Sequence, residues 1–278
     1  MTTRLAAAAT SATAPDGVWA PVRRRLTTGL VLTITLVAFE ALAIATIMPV
    51  VSDDLGGLGL YGWVFSGFFL GNLLGIVLAG EAADRRGTRA PFLAGLVLFS
   101  LGLVIGGSAQ SMPMLIAGRI AQGVGAGVIP AIAYASVGRG YPPELRPRVF
   151  AVFSSAWVIP GLIGPAAASA VERWSSWRVV FLALLPLVAV AAAMTLPALS
   201  PRPPDNADTP AEGTGRDRRR DAVVLVAGVA LVLAGLSARQ IGLTVALIVL
   251  GALPAAWAFV RLVPTGTVAL RRGMPAAV

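Results

Sequence analysis

The sequence has 278 residues, of which 56% are hydrophobic and 13% charged, with a formal net charge of +9. A water-soluble domain carries about 25% charged residues, so this composition excludes a soluble globule. The chain has neither cysteine nor histidine, which excludes disulfides, thiol chemistry and imidazole-based catalysis or metal binding.

Long apolar segments separated by charged or Pro- and Gly-rich breaks fill most of the chain. A bilayer core about 30 Å thick needs about 20 apolar residues per helix, and lipid offers the backbone no other hydrogen-bond partner. Transmembrane strands would be about 10 residues long with alternating polarity, unlike these segments. The pattern therefore predicts an all-α membrane protein with eight spans, at residues 27–50, 60–80, 91–110, 112–138, 148–171, 178–199, 222–238 and 240–263.

Glu40 lies near the middle of the first span, among apolar neighbours. An ionised carboxylate at that depth would cost several kcal/mol. A carboxyl group that can hold or release a proton is what proton-coupled transport requires. The alternative is a carboxyl group that faces water or is hydrogen-bonded for structural reasons.

The segment from Gly80 to Arg89, after the second span, is predicted to be an ordered cytoplasmic loop. Gly80 lets helices meet closely, and Gly87 suits a tight turn because glycine tolerates positive φ. Asp84 can accept hydrogen bonds from helix amino-terminal amides or from an arginine.

Arg119 lies in the first half of the fourth span, and arginine does not readily lose its proton. It must therefore face a polar cavity, carbonyl groups or a carboxylate. Gln122 lies one turn further along the same helix face. Glu40 and Arg119 occupy similar depths in the first helix of each set of three spans, so an inverted three-plus-three repeat would place both beside a central cavity. Direct pairing of the two does not follow from the sequence.

Small residues and prolines mark the remaining positions of interest. Glycines four residues apart, as at Gly67, Gly71 and Gly75, let helix backbones approach closely in lipid. Asn72 is interpreted as an interhelical hydrogen-bonding group. The positions predicted to line the cavity or to pack helices are Asn72, Gln122, Gly123, Gly125, Gly164 and Pro165. Prolines predicted to kink their spans are Pro130, Pro160, Pro165, Pro186 and Pro254.

Composition divides the chain into five parts. An Ala- and Thr-rich flexible tail is predicted first, then a six-helix bundle, a Pro-rich charged linker, a transmembrane hairpin and a second tail that approaches another apolar segment and is truncated. The predicted bounds are 1–26, 27–199, 200–221, 222–263 and 264–278.

All 22 basic residues are arginine, and 18 of them lie in the amino-terminal flank, the breaks after the second, fourth and sixth spans, and the carboxy-terminal tail. The positive-inside rule then predicts that both termini are cytoplasmic. Arginines at span ends favour membrane orientation over nucleic-acid binding. Arginine without lysine, with abundant Ala, Gly and Pro, suggests a GC-rich bacterial gene. Together with the predicted spans, this leads us to expect a multi-pass protein of the bacterial inner membrane.

Four segments resemble motifs of the major facilitator superfamily. The segment from Gly80 to Arg89 resembles its loop signature G-x-L-A-D-[RK]-x-G-R-[KR], with departures at Ala82 and Thr88. The segment 115–126 is similar to its fourth-span signature L-x-x-x-R-x-x-Q-G-x-G-A at every specified position. Gly164 and Pro165 resemble part of the antiporter signature G-x-x-x-G-P-x-x-G-G, and residues 45–49 resemble the end of the first span in the drug/proton antiporter branch. The resemblance covers about residues 27–200.

This resemblance implies a proton-coupled secondary transporter that exports small, amphipathic or drug-like compounds, with no cofactor and no enzymatic activity. Its partners would be substrate, protons and the lipid bilayer. It implies a role in proton coupling for Arg119. Together with the burial expected for Glu40, this predicts that Glu40 and Arg119 both bear on proton coupling. The resemblance also implies a cytoplasmic gate loop formed by Gly80, Asp84, Arg85, Gly87 and Arg89.

The chain is shorter than the family members, which have twelve or fourteen spans. The last two spans are either the start of the second half or the extra hairpin of fourteen-span members. Alternating access needs two bundles, so we expect transport to require the missing carboxy-terminal half or a second copy. The alternative function is a non-transporting, truncated membrane protein or an assembly partner.

Overall fold

The computed structural model describes residues 17–21, 23–199, 215–238 and 240–263. Ten α-helices make up the architecture of this part of the chain, and the predicted all-α fold is confirmed. Their bounds are α1 Arg24–Leu55, α2 Tyr61–Arg86, α3 Arg89–Gly107, α4 Met112–Gly140, α5 Arg146–Ser155, α6 Val158–Trp174, α7 Trp177–Leu182, α8 Leu184–Thr195, α9 Gly215–Leu236 and α10 Ile241–Leu262. Short 3₁₀ turns, Leu58–Leu60 and Leu196–Ala198, precede α2 and follow α8.

Seven candidate membrane spans are present in the described residues, one fewer than predicted. The segment that does not qualify is α9, whose first turns carry the charged run from Arg216 to Asp221. Its apolar part, 222–236, would extend only about 22 Å at a rise of 1.5 Å per residue. That is shorter than the roughly 30 Å hydrocarbon core, so the seventh span, at 222–238, was predicted from too short an apolar segment.

Two spans are divided where proline prevents a continuous helix. The fifth predicted span consists of α5 and α6, and Pro160 lies just after the break. The sixth consists of α7 and α8, and Pro186 lies just after that break. Proline has no amide hydrogen to donate to the carbonyl four residues earlier, which explains both breaks. By contrast, Pro130 and Pro165 lie inside helices that continue past them.

Helix α4 is held tightly between α2 and α3 by glycines. A Cβ atom added to Gly71 would meet the carbonyl oxygen of Ile120, and one added to Gly127 would meet that of Asn72. On the other side of α4, a Cβ atom on Gly125 would meet the backbone of α3 at Phe99. The predicted close approach of helices is therefore confirmed at these positions. At Gly80 it is wrong, because a Cβ atom there would meet no described atom within 4 Å.

Helix α1 completes the bundle by packing against α6 and α8, and it reaches α4 near its middle. Helices α9 and α10 form the predicted hairpin, in which the backbones meet at Gly228 and Gly251. The hairpin contacts the bundle through α9 and α2. Because α9 begins at Gly215, the end of the predicted linker is helical.

Most of the predicted tails and linker lies outside the described residues, namely 1–16, 200–214 and 264–278. The last part of the predicted amino-terminal tail packs on the bundle. Val18 is buried there, and the Thr27 hydroxyl donates to its carbonyl oxygen over 3.0 Å.

Candidate functional site

Glu40 and Arg119 contact each other directly in the interior of the bundle. Only 3% of the Glu40 side chain and 1% of the Arg119 side chain is exposed. The Nη1 atom of Arg119 donates to Oε1 of Glu40, and it also lies 2.7 Å from Oε1 of Gln122. Both charged side chains thus face the bundle interior, as expected for the cavity side of a three-plus-three repeat. The ion pair itself is the part that the sequence left open.

Local helix packing explains why these groups meet. Glu40 is carried by the middle of α1, and Arg119 and Gln122 are one turn apart on α4. Gly102 of α3 lies against the Gln122 backbone, where a Cβ atom would meet Gln122 N at 2.5 Å. The glycine-rich faces of α2 and α3 therefore fix the depth and rotation of α4, which aims Arg119 at α1.

Phe68 of α2 completes the surroundings of the guanidinium. The Cζ atom of Arg119 lies 4.2 Å from the centre of the Phe68 ring, a cation–π distance. Sequence reasoning missed this residue, because an aromatic side chain in an apolar span carries no signal of its own. Its neighbour Gly67, on the glycine face, was the available hint that this turn of α2 lies close to α4.

The polar cluster formed by Glu40, Arg119 and Gln122 is incompletely hydrogen-bonded. Within the described part of the chain, Oε2 of Glu40, Nε of Arg119 and Nε2 of Gln122 have no hydrogen-bond partner. Buried polar atoms are rarely left in this state, and each such group calls for an explanation. Of these three groups, only the Glu40 carboxylate can take up a proton, whereas the N–H groups of Arg119 and Gln122 can accept a new hydrogen-bond partner.

A small cavity adjoins Glu40 between α1 and the α7–α8 span. It has a volume of about 10 Å³ and is otherwise lined by apolar side chains such as Ile44 and Phe181. A cavity of that size has room for about one water molecule. The larger central cavity expected beside Glu40 and Arg119 remains a prediction.

The predicted loop from Gly80 to Arg89 is mostly helical, which corrects its assignment as a loop. Helix α2 continues to Arg86, and Arg89 is already the first residue of α3. Alanine and arginine favour helix in this segment. Only Gly87 and Thr88 lie between the helices, and Gly87 has a φ of +71°, as a tight turn requires.

Two carboxylates near the end of α2 bind arginines on other helices. Asp84 lies 3.3 Å from Nη2 of Arg139, whose Nη1 donates to the Ala83 carbonyl of α2. Glu81, which sequence reasoning did not select, contacts Arg85 on its own helix and Arg219 on α9. We call this side of the bundle, with Arg85 and Arg139, the arginine-rich end.

A second polar cluster lies at the opposite end of the bundle. Asp54 of α1 accepts a hydrogen bond from Trp177 Nε1 at 3.0 Å and from Arg178 Nη1 at 2.8 Å. Arg178 also donates to the Ala109 carbonyl at 3.1 Å, between α3 and α4. At each end of the bundle formed by α1 to α8, a carboxylate on one helix thus contacts an arginine on another helix. Sequence reasoning missed Asp54, although Trp177 and Arg178 stand out together at the start of a span.

The other predicted positions act through packing. Gly123 and Gly125 lie at the contacts of α4 with α2 and α3, and Gly164 lies against Phe39 of α1, where a Cβ atom would be 3.6 Å from the ring. Pro165 is half-buried within α6. Asn72 is half-buried on α2, and its backbone carbonyl faces Gly127 of α4. An interhelical hydrogen bond from its side chain remains a prediction.

Comparison with known proteins gives a consistent set of similarities. A family model described as Major Facilitator Superfamily matches residues 30–273. A Mycobacterium tuberculosis protein named "Probable multidrug-efflux transporter" is 30% identical over 191 residues, which are 68% of this chain and 40% of that protein. Multidrug resistance protein 3 of Bacillus subtilis is 30% identical over 162 residues, 58% of this chain and 32% of that protein.

Solved structures show the same fold at lower identity. A D-xylose-proton symporter superposes with a TM-score of 0.59 at 15% identity, covering 86% of this chain and 66% of the symporter. The POT family transporter PepTSo gives a TM-score of 0.60 at 16% identity, covering 86% and 53% of the two chains. The chain thus spans 32–40% of the length of the two curated relatives described above.

Proposed function

Because the chain belongs to the Major Facilitator Superfamily, we propose that it supplies the amino-terminal bundle of a proton-coupled exporter of small, amphipathic or drug-like compounds. Its similarity to proteins named for multidrug efflux and multidrug resistance supports the substrate class. The observation that best supports proton coupling is the buried contact between Glu40 and Arg119.

Proton binding would change this contact in a defined way. In the paired state, the carboxylate of Glu40 and the guanidinium of Arg119 cancel each other's charge. A proton that binds Oε2, the free oxygen of Glu40, leaves a neutral carboxyl group beside a guanidinium that keeps its charge. Arg119 then loses its anionic partner and retains the amide oxygen of Gln122 and the ring of Phe68. The weakened contact between α1 and α4 is the proposed link between protonation and helix movement.

Replacing Glu40 by glutamine should abolish proton-driven export, because an amide cannot exchange the proton. The measurement is efflux of a fluorescent amphipathic cation from vesicles after an imposed pH gradient. Asp53→Asn is the matched control, since Asp53 lies on the same helix and is exposed; it should export normally. Gradient-driven efflux that persists in Glu40→Gln would contradict the role of Glu40.

Alternating access needs two bundles, so we propose that transport requires a second bundle, from further sequence or from a second copy. The assay therefore compares vesicles that contain the chain alone with vesicles that contain it together with a second bundle. The alternative function is that of a non-transporting membrane protein or an assembly partner. Absence of efflux under both conditions would support that alternative.

We further propose a bacterial inner-membrane location with the arginine-rich end in the cytoplasm, supported by the positive-inside rule. Because the chain has no cysteine, single introduced cysteines report orientation directly. Gly80 and Gly59 are exposed, and a Cβ atom at either position meets no described atom within 4 Å. A membrane-impermeant maleimide should label Gly59→Cys in intact spheroplasts and Gly80→Cys only in inside-out vesicles. The reverse pattern would contradict the orientation.

A further inference from the structure

We infer that Glu81 is a positioning residue that clamps α9 to α2, so that the α9–α10 hairpin and the six-helix bundle move as one body. This inference concerns the hairpin and is independent of proton coupling. It rests on the ion pairs of Glu81, on the apolar contact between α2 and α9, and on the position of Glu81 beside Asp84.

Glu81 is a buried carboxylate held by two exposed arginines. Its side chain is 9% exposed, whereas those of Arg85 and Arg219 are 59% and 55% exposed. Arg219 Nε donates to Oε2 over 3.0 Å, and Arg85 Nε lies 3.3 Å from Oε1. A carboxylate withdrawn from water needs a cation nearby. Of these two cations, only Arg219 belongs to another helix, so it is the one that joins α9 to α2.

The ion pair is one of two contacts between α2 and α9 at different depths. Leu73, eight residues before Glu81 on α2, packs against the cluster that contains Leu225 of α9 and Ala255 of α10. Eight residues correspond to about 12 Å along a helix axis. Apolar packing alone holds helices weakly in lipid, which is as apolar as leucine. The ion pair is therefore expected to fix the position of α9.

The same end of α2 is also attached to the bundle. Asp84, three residues after Glu81, contacts Arg139 of α4. Within the hairpin, Asp221 of α9 lies 3.6 Å from Arg261 of α10. Separate ion pairs thus join α4 to α2, α2 to α9 and α9 to α10, so the proposed clamp would carry a movement at the end of α2 to the hairpin.

The experiment measures the distance between the bundle and the hairpin with two spin labels. Gly138 of α4 and Gly242 of α10 are exposed, and a Cβ atom at either meets no described atom within 4 Å. The absence of native cysteine makes both labels unique. In an otherwise unchanged chain in lipid nanodiscs, double electron–electron resonance should give one narrow distance distribution. Arg219→Gln should make it on the order of twofold broader, because α9 then keeps only its apolar contact.

Arg85→Gln is the matched control, because it removes the other cation from the same carboxylate without breaking a contact between helices. It should leave the distribution narrow. A label pair within the bundle, at Gly59 and Gly138, should be unchanged in every variant and so excludes general unfolding. Equal broadening by Arg85→Gln, or no broadening by Arg219→Gln, would overturn the inference.

Discussion

Replacing Arg119 by glutamine should lower the free energy of unfolding by about 3–5 kcal/mol, because it leaves the Glu40 carboxylate buried without its cation. Both side chains of the pair are almost completely buried, so bulk water does not solvate the carboxylate in place of the guanidinium. The shorter glutamine also removes the cation from the Phe68 ring. The measurement is thermal unfolding in detergent micelles, followed by the intrinsic fluorescence of the six tryptophans.

Two further variants separate the pair from its surroundings. The double replacement Glu40→Gln with Arg119→Gln should recover most of the lost stability, since it removes the uncompensated charge. Arg178→Gln is the control for an exposed pair. About a third of Arg178 and half of its partner Asp54 are open to solvent, and such pairs contribute about 1 kcal/mol or less. If Arg119→Gln and Arg178→Gln lowered the stability equally, burial of the central pair would contribute little to the stability of the fold.

Replacing Gly127 by alanine should destabilise the chain by about 1–3 kcal/mol, as overpacking of a tight contact does. The added methyl group would overlap the carbonyl oxygen of Asn72. That atom belongs to the α2 backbone and cannot turn away as a side chain does. The helices would have to separate, which would also loosen the neighbouring contacts at Gly71 and Gly123.

Gly138→Ala is the matched control, on the same helix and with the same chemical change. Its Cβ atom would meet no described atom within 4 Å, and alanine is favoured over glycine in a helix by roughly 1 kcal/mol. Fluorescence-detected unfolding should therefore show a lower midpoint for Gly127→Ala and an unchanged or higher one for Gly138→Ala. A midpoint for Gly127→Ala as high as that of Gly138→Ala would mean that α2 and α4 are not in close contact there.

Much of the fold could be predicted because hydropathy reports directly on the solvent that a helix meets. Six spans and the last one coincide with apolar segments long enough to cross a bilayer. The prediction was inaccurate where charge and helix overlap. Helix α9 begins within the charged run before Ala222, and α2 continues to Arg86 through the segment assigned as a loop. Charged residues at the end of a membrane helix are solvated, so the helix continues for several residues beyond the point where the hydropathy of the sequence decreases.

Whether a site residue could be predicted from the sequence depends on how deeply its side chain is buried. Glu40 and Arg119 could be selected from the sequence because an isolated charge in an apolar segment has few tolerable environments. Asp54 and Glu81 could not, because a carboxylate near a span end has many possible partners, including water. Their partners, Arg178 and Arg219, lie more than a hundred residues away in sequence. Only packing of the helices determines which of these groups meet.

The charge balance of the Glu40–Arg119 contact has an electrical consequence. While the two groups are paired and ionised, their net charge is zero, and the membrane voltage exerts no net force on them. If Glu40 takes up a proton as we propose, the site gains one positive charge deep within the field. A full crossing of that field corresponds to about 2.3 kcal/mol per elementary charge per 100 mV. Protonation from one side would then depend on voltage as well as on pH, so a polarised cell would drive this step even without a proton gradient.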